Sequence, residues 1–289
     1  MTPSPLPPVF CVYGAGHARH IREVFLPALA RSATAPVALY LLNYDGTAAR
    51  AVSGQTLGPV TVREIANPTG RVTGFAESNN LLFDAVAPAH SFVLVNPDCI
   101  PQPGALDALV ARHRAAAGGA GIVEGRQWPF EHPKEYDRRS GETPWASGAF
   151  CLVDAAFYRA VGGMDPRYFL YLEDVDLSWR AWLAGYSVLY APEAAIAHFT
   201  DSPLRRADLV GREAAYSARN FLLIAKKFFG ASGLRRAIER LQAADPALAA
   251  QAQTAFVETL DARVGHEHDG RRSRMIKILG VCQFHETRA

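Results

Sequence analysis

Three acids in four positions, Glu173, Asp174 and Asp176, open a stretch whose apolar residues Val175, Trp179 and Trp182 recur at helical spacing before Gly185. This pattern constrains the fold more than any other in the chain. It requires an amphipathic helix with carboxylates in its first turn and one face against a core. The residues before it narrow the choice further. Ser147-Gly148 leads into the apolar run Phe150 to Val153, which reads as a buried strand. Asp154 stands where a helix N-cap belongs, and Gly162-Gly163 ends that helix. Tyr168, Phe169 and Tyr171 then lead to the acids. Backbone N–H groups at a helix N-terminus favour ionised carboxylates, and capping is one use of such acids. Three together beside aromatics also suit a cleft in which a carboxylate takes a proton from a hydroxyl.

Upstream, strands and helices alternate. Val9 to Tyr13 reads as a strand that meets Gly14-Ala15-Gly16 and then a helix from His17 to Arg31. A strand, a G-x-G and a helix open a dinucleotide-binding fold, and Asp45 follows a second strand at Val37 to Leu42. A nicotinamide-dependent oxidoreductase is therefore one reading, although Arg19 takes the place of the third glycine. The other is a glycine turn that lets the strand enter its helix tightly. Val60 to Glu64 is a third strand, and a glycine-marked loop from Asn67 leads to a helix carrying Phe75, Leu82 and Val86. The strand Phe92 to Val95 runs into Asn96-Pro97-Asp98, followed by a helix from Gly104 to Ala117. That order puts Asp98 at the carboxyl edge of a parallel sheet, where open α/β folds bind ligands. Val123 to Trp145 mixes Pro, aromatics and charge and reads as an irregular loop. Ser187 to Tyr190 and Ala195 to His198 read as two short strands, and helices dominate from Arg205 onward.

The segments S-G-A-F-x-L-V and V-G-G-M-D-P-R-Y-F-L-Y-L-E-D-V-D-L-x-x-R-x-x-x-A-G-Y resemble family 2 glycosyltransferases with the GT-A fold, in their rhamnosyltransferase-like branch. The segments around Asn67 to Phe83 and Tyr216 to Phe228 are also similar to that family. The resemblance implies an α/β GT-A domain over about 8–204, with a mostly parallel central sheet flanked by helices, and a helical C-terminal extension with a basic tail over 205–289. It implies inverting transfer of a hexose or deoxyhexose from a nucleotide-diphosphate donor to a hydroxyl of a glycan or lipid-linked glycan. Asp98 takes the place of the family's metal-binding acid, with Asn96 in the other acidic position. His198 is the second ligand of a divalent cation, Mg²⁺ or Mn²⁺. Asp174 is the expected general base and Glu173 the second candidate. Trp145, Ser147 and Gly148 are expected on the acceptor side; Tyr13, Asn43, Asp45, Asn67, Asn96, Arg205 and Arg206 on the donor side. The nucleotide half departs from the family pattern, since Tyr13 precedes Gly14-Ala15-Gly16 and the second strand ends in Asn43-Tyr44-Asp45-Gly46. A catalytically silent GT-A domain that binds glycans or partners is a third reading. The joint presence of Asp98, Glu173, Asp174 and His198 argues against it.

Composition decides little more. A net charge of +2 requires no particular partner, and no nucleic acid is expected. Cys11, Cys99, Cys151 and Cys282 form no C-x-x-C pair, so neither a disulfide framework nor zinc is indicated. No apolar run reaches the roughly 18 residues of a membrane span. The proline-rich start lacks the form of a signal peptide, which points to the cytoplasm. Contact with the inner face of a membrane is a further option, through Lys226-Lys227 and Phe228-Phe229.

Overall fold

The computed structural model describes residues 5–45, 54–129, 131, 134–198, 212–257 and 275–287. Arg205, Arg206, Arg271, Arg272 and Arg274, and the proposed boundary at 204/205, lie outside them.

One mixed sheet runs through the molecule, in the order β3-β4-β2-β1-β5-β8-β7-β9-β6. Its N-terminal half is a parallel ladder of β4 (Val60–Ile65), β2 (Val37–Asn43), β1 (Val9–Tyr13) and β5 (Ser91–Val95), edged by the antiparallel β3 (Thr56–Leu57). β5 is buried along its whole length, as expected of a strand covered on both faces. β8 (Phe150–Asp154) inserts antiparallel between β5 and β7 (Ala120–Pro129). β7 pairs parallel with β9 (Ser187–His198), and β9 pairs antiparallel with β6 (Cys99–Pro101). Parallel pairings carry most of the ladder among the described residues.

Helices cover both faces. After β1 a 3-10 turn (Ala15–His17) leads through α1 (Ala18–His20) and a π-helical stretch (Ile21–Phe25) into α2 (Leu26–Ser32). α3 (Phe75–Val86) and α4 (Ala105–Ala115) follow β4 and β6 in turn. α5 (Ala155–Ala160) begins at Asp154, whose side chain accepts the Phe157 N–H at 2.8 Å, the cap expected from sequence. α6 (Glu173–Leu183) carries the three acids in its first turn. Its apolar stripe is buried: Trp179 is fully enclosed and meets Phe228 and Phe284 edge-on at 5.0 and 5.5 Å. α7 (Glu213–Ala244) breaks at Gly230, where φ is 64°, and α8 (Pro246–Val257) folds back along it. Phe221, Ile224 and Phe228 of α7 belong to the same core as Phe10 and Phe92 of the sheet.

Two expectations change. Residues 120–129 form a ten-residue strand rather than the start of a loop, and residues 187–198 form one strand rather than two. Both readings were misled by prolines, Pro129 at the strand end and Pro192 within β9, where the pairing with β7 shifts register between Gly125 and Arg126.

Candidate active site

Four strands, β5, β6, β7 and β9, bring side chains to one edge of the sheet. β5 ends at Val95, and the chain turns through Asn96-Pro97-Asp98 with the Cys99 N–H donating to the Asn96 carbonyl at 3.1 Å. β6 then pairs Cys99 directly with His198 at the end of β9. This register brings the His198 Nε2 to 3.5 Å from an Asp98 carboxylate oxygen across a hundred residues of chain. β7 adds a third member. Gln127, itself buried, places its Oε1 2.8 Å from the His198 Nδ1. Donation from Nδ1–H to that oxygen leaves the Nε2 lone pair facing Asp98, the arrangement that orients metal-binding histidines. A carboxylate and a neutral imidazole nitrogen at this separation fit one divalent ion of the Mg²⁺ or Mn²⁺ class. Cys99 is adjacent, but burial pushes its thiol well up and the Sγ donates to the Ala149 carbonyl at 3.4 Å. A hard cation of the Mg²⁺ or Mn²⁺ class prefers oxygen and imidazole donors to a thiol.

A cavity of about 200 Å³ opens beside Asp98 and Asn96. Its walls include His17, Tyr44, Phe75, Phe169 and Glu213. Sequence reasoning missed His17, Tyr44, Gln127 and Glu213; each comes from a different element, and no local pattern marks them as neighbours. His17 accepts the Gly14 N–H through Nδ1 at 3.1 Å. Gly14 is a glycine because of Tyr44: a Cβ there would lie 2.5 Å from the Tyr44 hydroxyl. The G-x-G turn thus admits a tyrosine ring where a dinucleotide fold admits pyrophosphate. Arg19, in the place of the third glycine, projects into solvent and pairs with Glu23 at 2.9 Å.

The other donor-side expectations act mostly from behind the cavity. Tyr13 is fully buried, its hydroxyl donating to Glu64 and its carbonyl accepting the Tyr44 N–H. Asn67 is consumed by its own loop, donating to the carbonyls of Tyr44 and Arg71 and accepting from Thr69. Asn43 is buried and accepts the Asp45 N–H at 3.0 Å, a side-chain turn that ends β2. Only Asn96 of the described donor-side residues lines the cavity.

The residues expected on the acceptor side, and the expected base, gather around the start of α6. The Asp174 carboxylate accepts the Gly148 N–H at 3.2 Å and the Val175 N–H at 2.8 Å, and it is half-buried. Gly148 packs against both Asp174 and Phe75, so a Cβ there would press on Phe75 at 3.1 Å. Ala149 joins the two halves, its carbonyl accepting from the Asn96 N–H as well as from Cys99. Glu173 is different. It is buried, one carboxylate oxygen has no hydrogen-bond partner, and burial together with Asp174 pushes its pKa well up. Ser147 is buried and donates its N–H to Glu124 at 2.9 Å. Trp145 is buried too: the Lys134 ammonium lies 3.9 Å from the centre of its ring and donates to its carbonyl, so it offers an acceptor little surface. Asp176 faces away into the core, in ion pairs with Arg180 at 2.7 Å and Lys227 at 2.5 Å. Lys227 and Phe228 are therefore buried, which removes them from any membrane surface.

The turn before α6 is strained. Tyr171 and Leu172 both have positive φ, 71° and 65°, which costs side-chain-bearing residues on the order of 1–3 kcal/mol each. Asn220 of α7, fully buried, holds this turn by donating to the carbonyls of Leu170 and Tyr171 at 2.8 and 2.7 Å.

Residues 14–209 match the family described as "Glycosyltransferase like family 2". The chain belongs to that family. It is 30% identical over 273 residues to an N-acetylglucosaminyl-diphospho-decaprenol L-rhamnosyltransferase of Mycobacterium tuberculosis, covering 78% of this chain and 85% of the relative. A rhamnosyltransferase of Escherichia coli matches over a shorter stretch, 37% identical over 67 residues, which is 23% of this chain and 25% of that one. The fold is that of solved GT-A enzymes. A Pyrobaculum calidifontis mannosyltransferase in complex with GDP-Man and Mn²⁺ superimposes with a TM-score of 0.55 at 13% identity, over 94% of this chain and 79% of that one. Staphylococcus aureus TarS with UDP-GlcNAc gives 0.57 at 10% identity, over 88% and 80%. This is a nucleotide-sugar glycosyltransferase of the rhamnosyltransferase-like branch.

Proposed function

We propose that the protein transfers a sugar of the hexose or deoxyhexose class, with inversion, to a hydroxyl of a lipid-linked glycan, with Asp174 as general base and a divalent cation at Asp98 and His198. The observation that carries this reading is the pair of sites joined at Ala149, a carboxylate with an imidazole on one side and a half-buried carboxylate on the other. When bound, Mg²⁺ or Mn²⁺ would neutralise charge on the leaving diphosphate. His198 is held ready for it by Gln127. Asn96 and His17 face the cavity that would take the donor. Asp174 keeps two backbone N–H donors that favour its ionised form, as a base needs at neutral pH. Glu173 is the weaker candidate, because its burial favours the protonated acid, which has no basic oxygen to offer.

A GT-A unit over about residues 8–204 with the remainder as an extension that shares its core remains our division of the chain. No helix among the described residues is long and apolar enough to cross a membrane. We place the protein in the cytoplasm, reaching its acceptor at the inner face of the membrane. The test is calorimetric titration of UDP, GDP and dTDP with and without Mn²⁺. Metal-dependent binding of one of them, lost in Asp98→Ala with the thermal melt preserved, is the expected result. Binding that ignores both the metal and the substitution would remove Asp98 from the site.

A further inference from the structure

A second cavity of about 450 Å³ shares Phe169 with the first, and three arginines line it: Arg167, Arg212 and Arg219. Phe169 borders both spaces and stacks on Tyr216 at 5.3 Å, with Gln251 of α8 completing the wall. Arg167 forks onto Asp165 at 2.9 and 2.5 Å, but the buried group it joins is over-supplied with cations. Asp165 and Asp176 are its two carboxylates, set against Arg167, Arg180 and Lys227. Arg219 donates to the Arg167 carbonyl and to Asn220, which fixes it at the cavity wall. Arg212, at the start of α7, is exposed and makes no ion pair among the described residues. A pocket of this size with surplus guanidinium charge and an aromatic wall suits a phosphate ester, since arginine grips phosphate oxygens two at a time.

We propose that this cavity binds the phosphate or diphosphate of the lipid-linked acceptor, a reading that rests on the transferase assignment above. Its position favours the acceptor over the donor. None of Asn96, Asp98 and His198 lines this cavity, whereas the segment that walls it at Arg167 and Phe169 continues directly into Glu173 and Asp174. A group anchored at the arginines would present the adjoining sugar toward Asp174.

The test is calorimetry on the full chain in EDTA, which silences any metal-dependent nucleotide site. The probes are geranyl diphosphate, geraniol and inorganic diphosphate. Geranyl diphosphate should bind, with geraniol and inorganic diphosphate each weaker by about ten-fold or more, and Arg212→Glu should weaken it by a similar factor while the thermal melt is unchanged. Equal binding of inorganic diphosphate would show a site for free phosphate rather than a lipid ester, and equal binding of geraniol would show an apolar groove. Displacement by UDP, or full affinity in both Arg212→Glu and Arg219→Lys, would place the anion elsewhere. Any of these four results overturns the proposal. The metal-dependent nucleotide titration is independent of this measurement, so either reading can fail while the other stands.

Discussion

Glu173 and Asp176 sit three residues apart on the first turn of α6, and both are buried, yet their surroundings are opposite. Asp176 lies on the face turned to α7, enclosed by Arg180 and Lys227 and joined through Lys227 to Asp165. Glu173 makes no ion pair among the described residues and has only carboxylates near it, so its pKa rises. The cation-rich face holds the helix in place. The cation-poor face leaves Glu173 with a raised pKa, and Asp174 at its open edge accepts two backbone N–H groups. One helical turn thus separates a structural use of acids from the chemical one proposed for Asp174.

The sharpest way to break this division is Asp174→Asn, which keeps the shape and the Gly148 contact but cannot accept a proton. Transfer should fall by about 10²–10⁴-fold while nucleotide affinity holds, measured by steady-state kinetics and calorimetry. A variant with near-normal turnover would move the chemistry off this face. On the other face, Lys227→Met removes the buried ammonium that bridges Asp165 and Asp176 and leaves each carboxylate with a single arginine. A loss of about 3–5 kcal/mol in urea unfolding is expected, with residual activity per folded molecule near normal.

The acids of α6 and the cap at Asp154 were legible because a helix writes its periodicity locally, within a dozen residues. Asp98 was legible for a similar reason, as an acid just after a buried strand. What could not be read was pairing at a distance. Nothing near His198 or Gln127 announces that β9 will lie between β6 and β7, and the register of those two pairings is what brings Asp98, His198 and Gln127 together. Lys227 read as part of a basic surface because its carboxylate partners lie fifty and more residues upstream. Asn67 lies in a segment that resembles the family, but its bonds go to Thr69, Arg71 and the Tyr44 carbonyl. A motif match transfers a position, and only the hydrogen-bond partners reveal whether the side chain is still available.

Smaller effects sharpen the contrast. Asn220→Ala should cost about 1–3 kcal/mol, the cost of leaving a buried polar group unpaired, here the carbonyls of the Leu170–Leu172 turn. It should lower kcat more than nucleotide affinity, because the strained turn leads directly into Glu173 and Asp174. Equal losses in both would make Asn220 a general core residue. The smallest effect concerns pH. Glu173 has a raised folded pKa, so its contribution to stability is fullest below the unfolded value of about 4.3 and is lost as pH rises through the folded one. Glu173→Gln removes that loss, and its stability relative to wild type should therefore improve from pH 5 to pH 8 in urea titrations. Asp165 has the opposite sign. Its carboxyl is held well below the usual range by Arg167 and Lys227 against the cost of burial, so its contribution is present above about pH 4 and fades as the solution is acidified. A constant gap between Glu173→Gln and wild type would mean that Glu173 is ionised in the folded protein.

Asn220 lies forty-six positions beyond Asp174, on a helix that must be made before it can reach back. During synthesis the sheet, the cation ligands and the carboxylate all leave the ribosome first, and the turn bearing the base has no clamp on its left-handed residues until α7 arrives. The nascent enzyme is therefore assembled without being armed. Truncation between residues 199 and 219 should yield a domain that keeps Asp98, Asp174 and His198 but lacks the Asn220 clamp on the turn before α6.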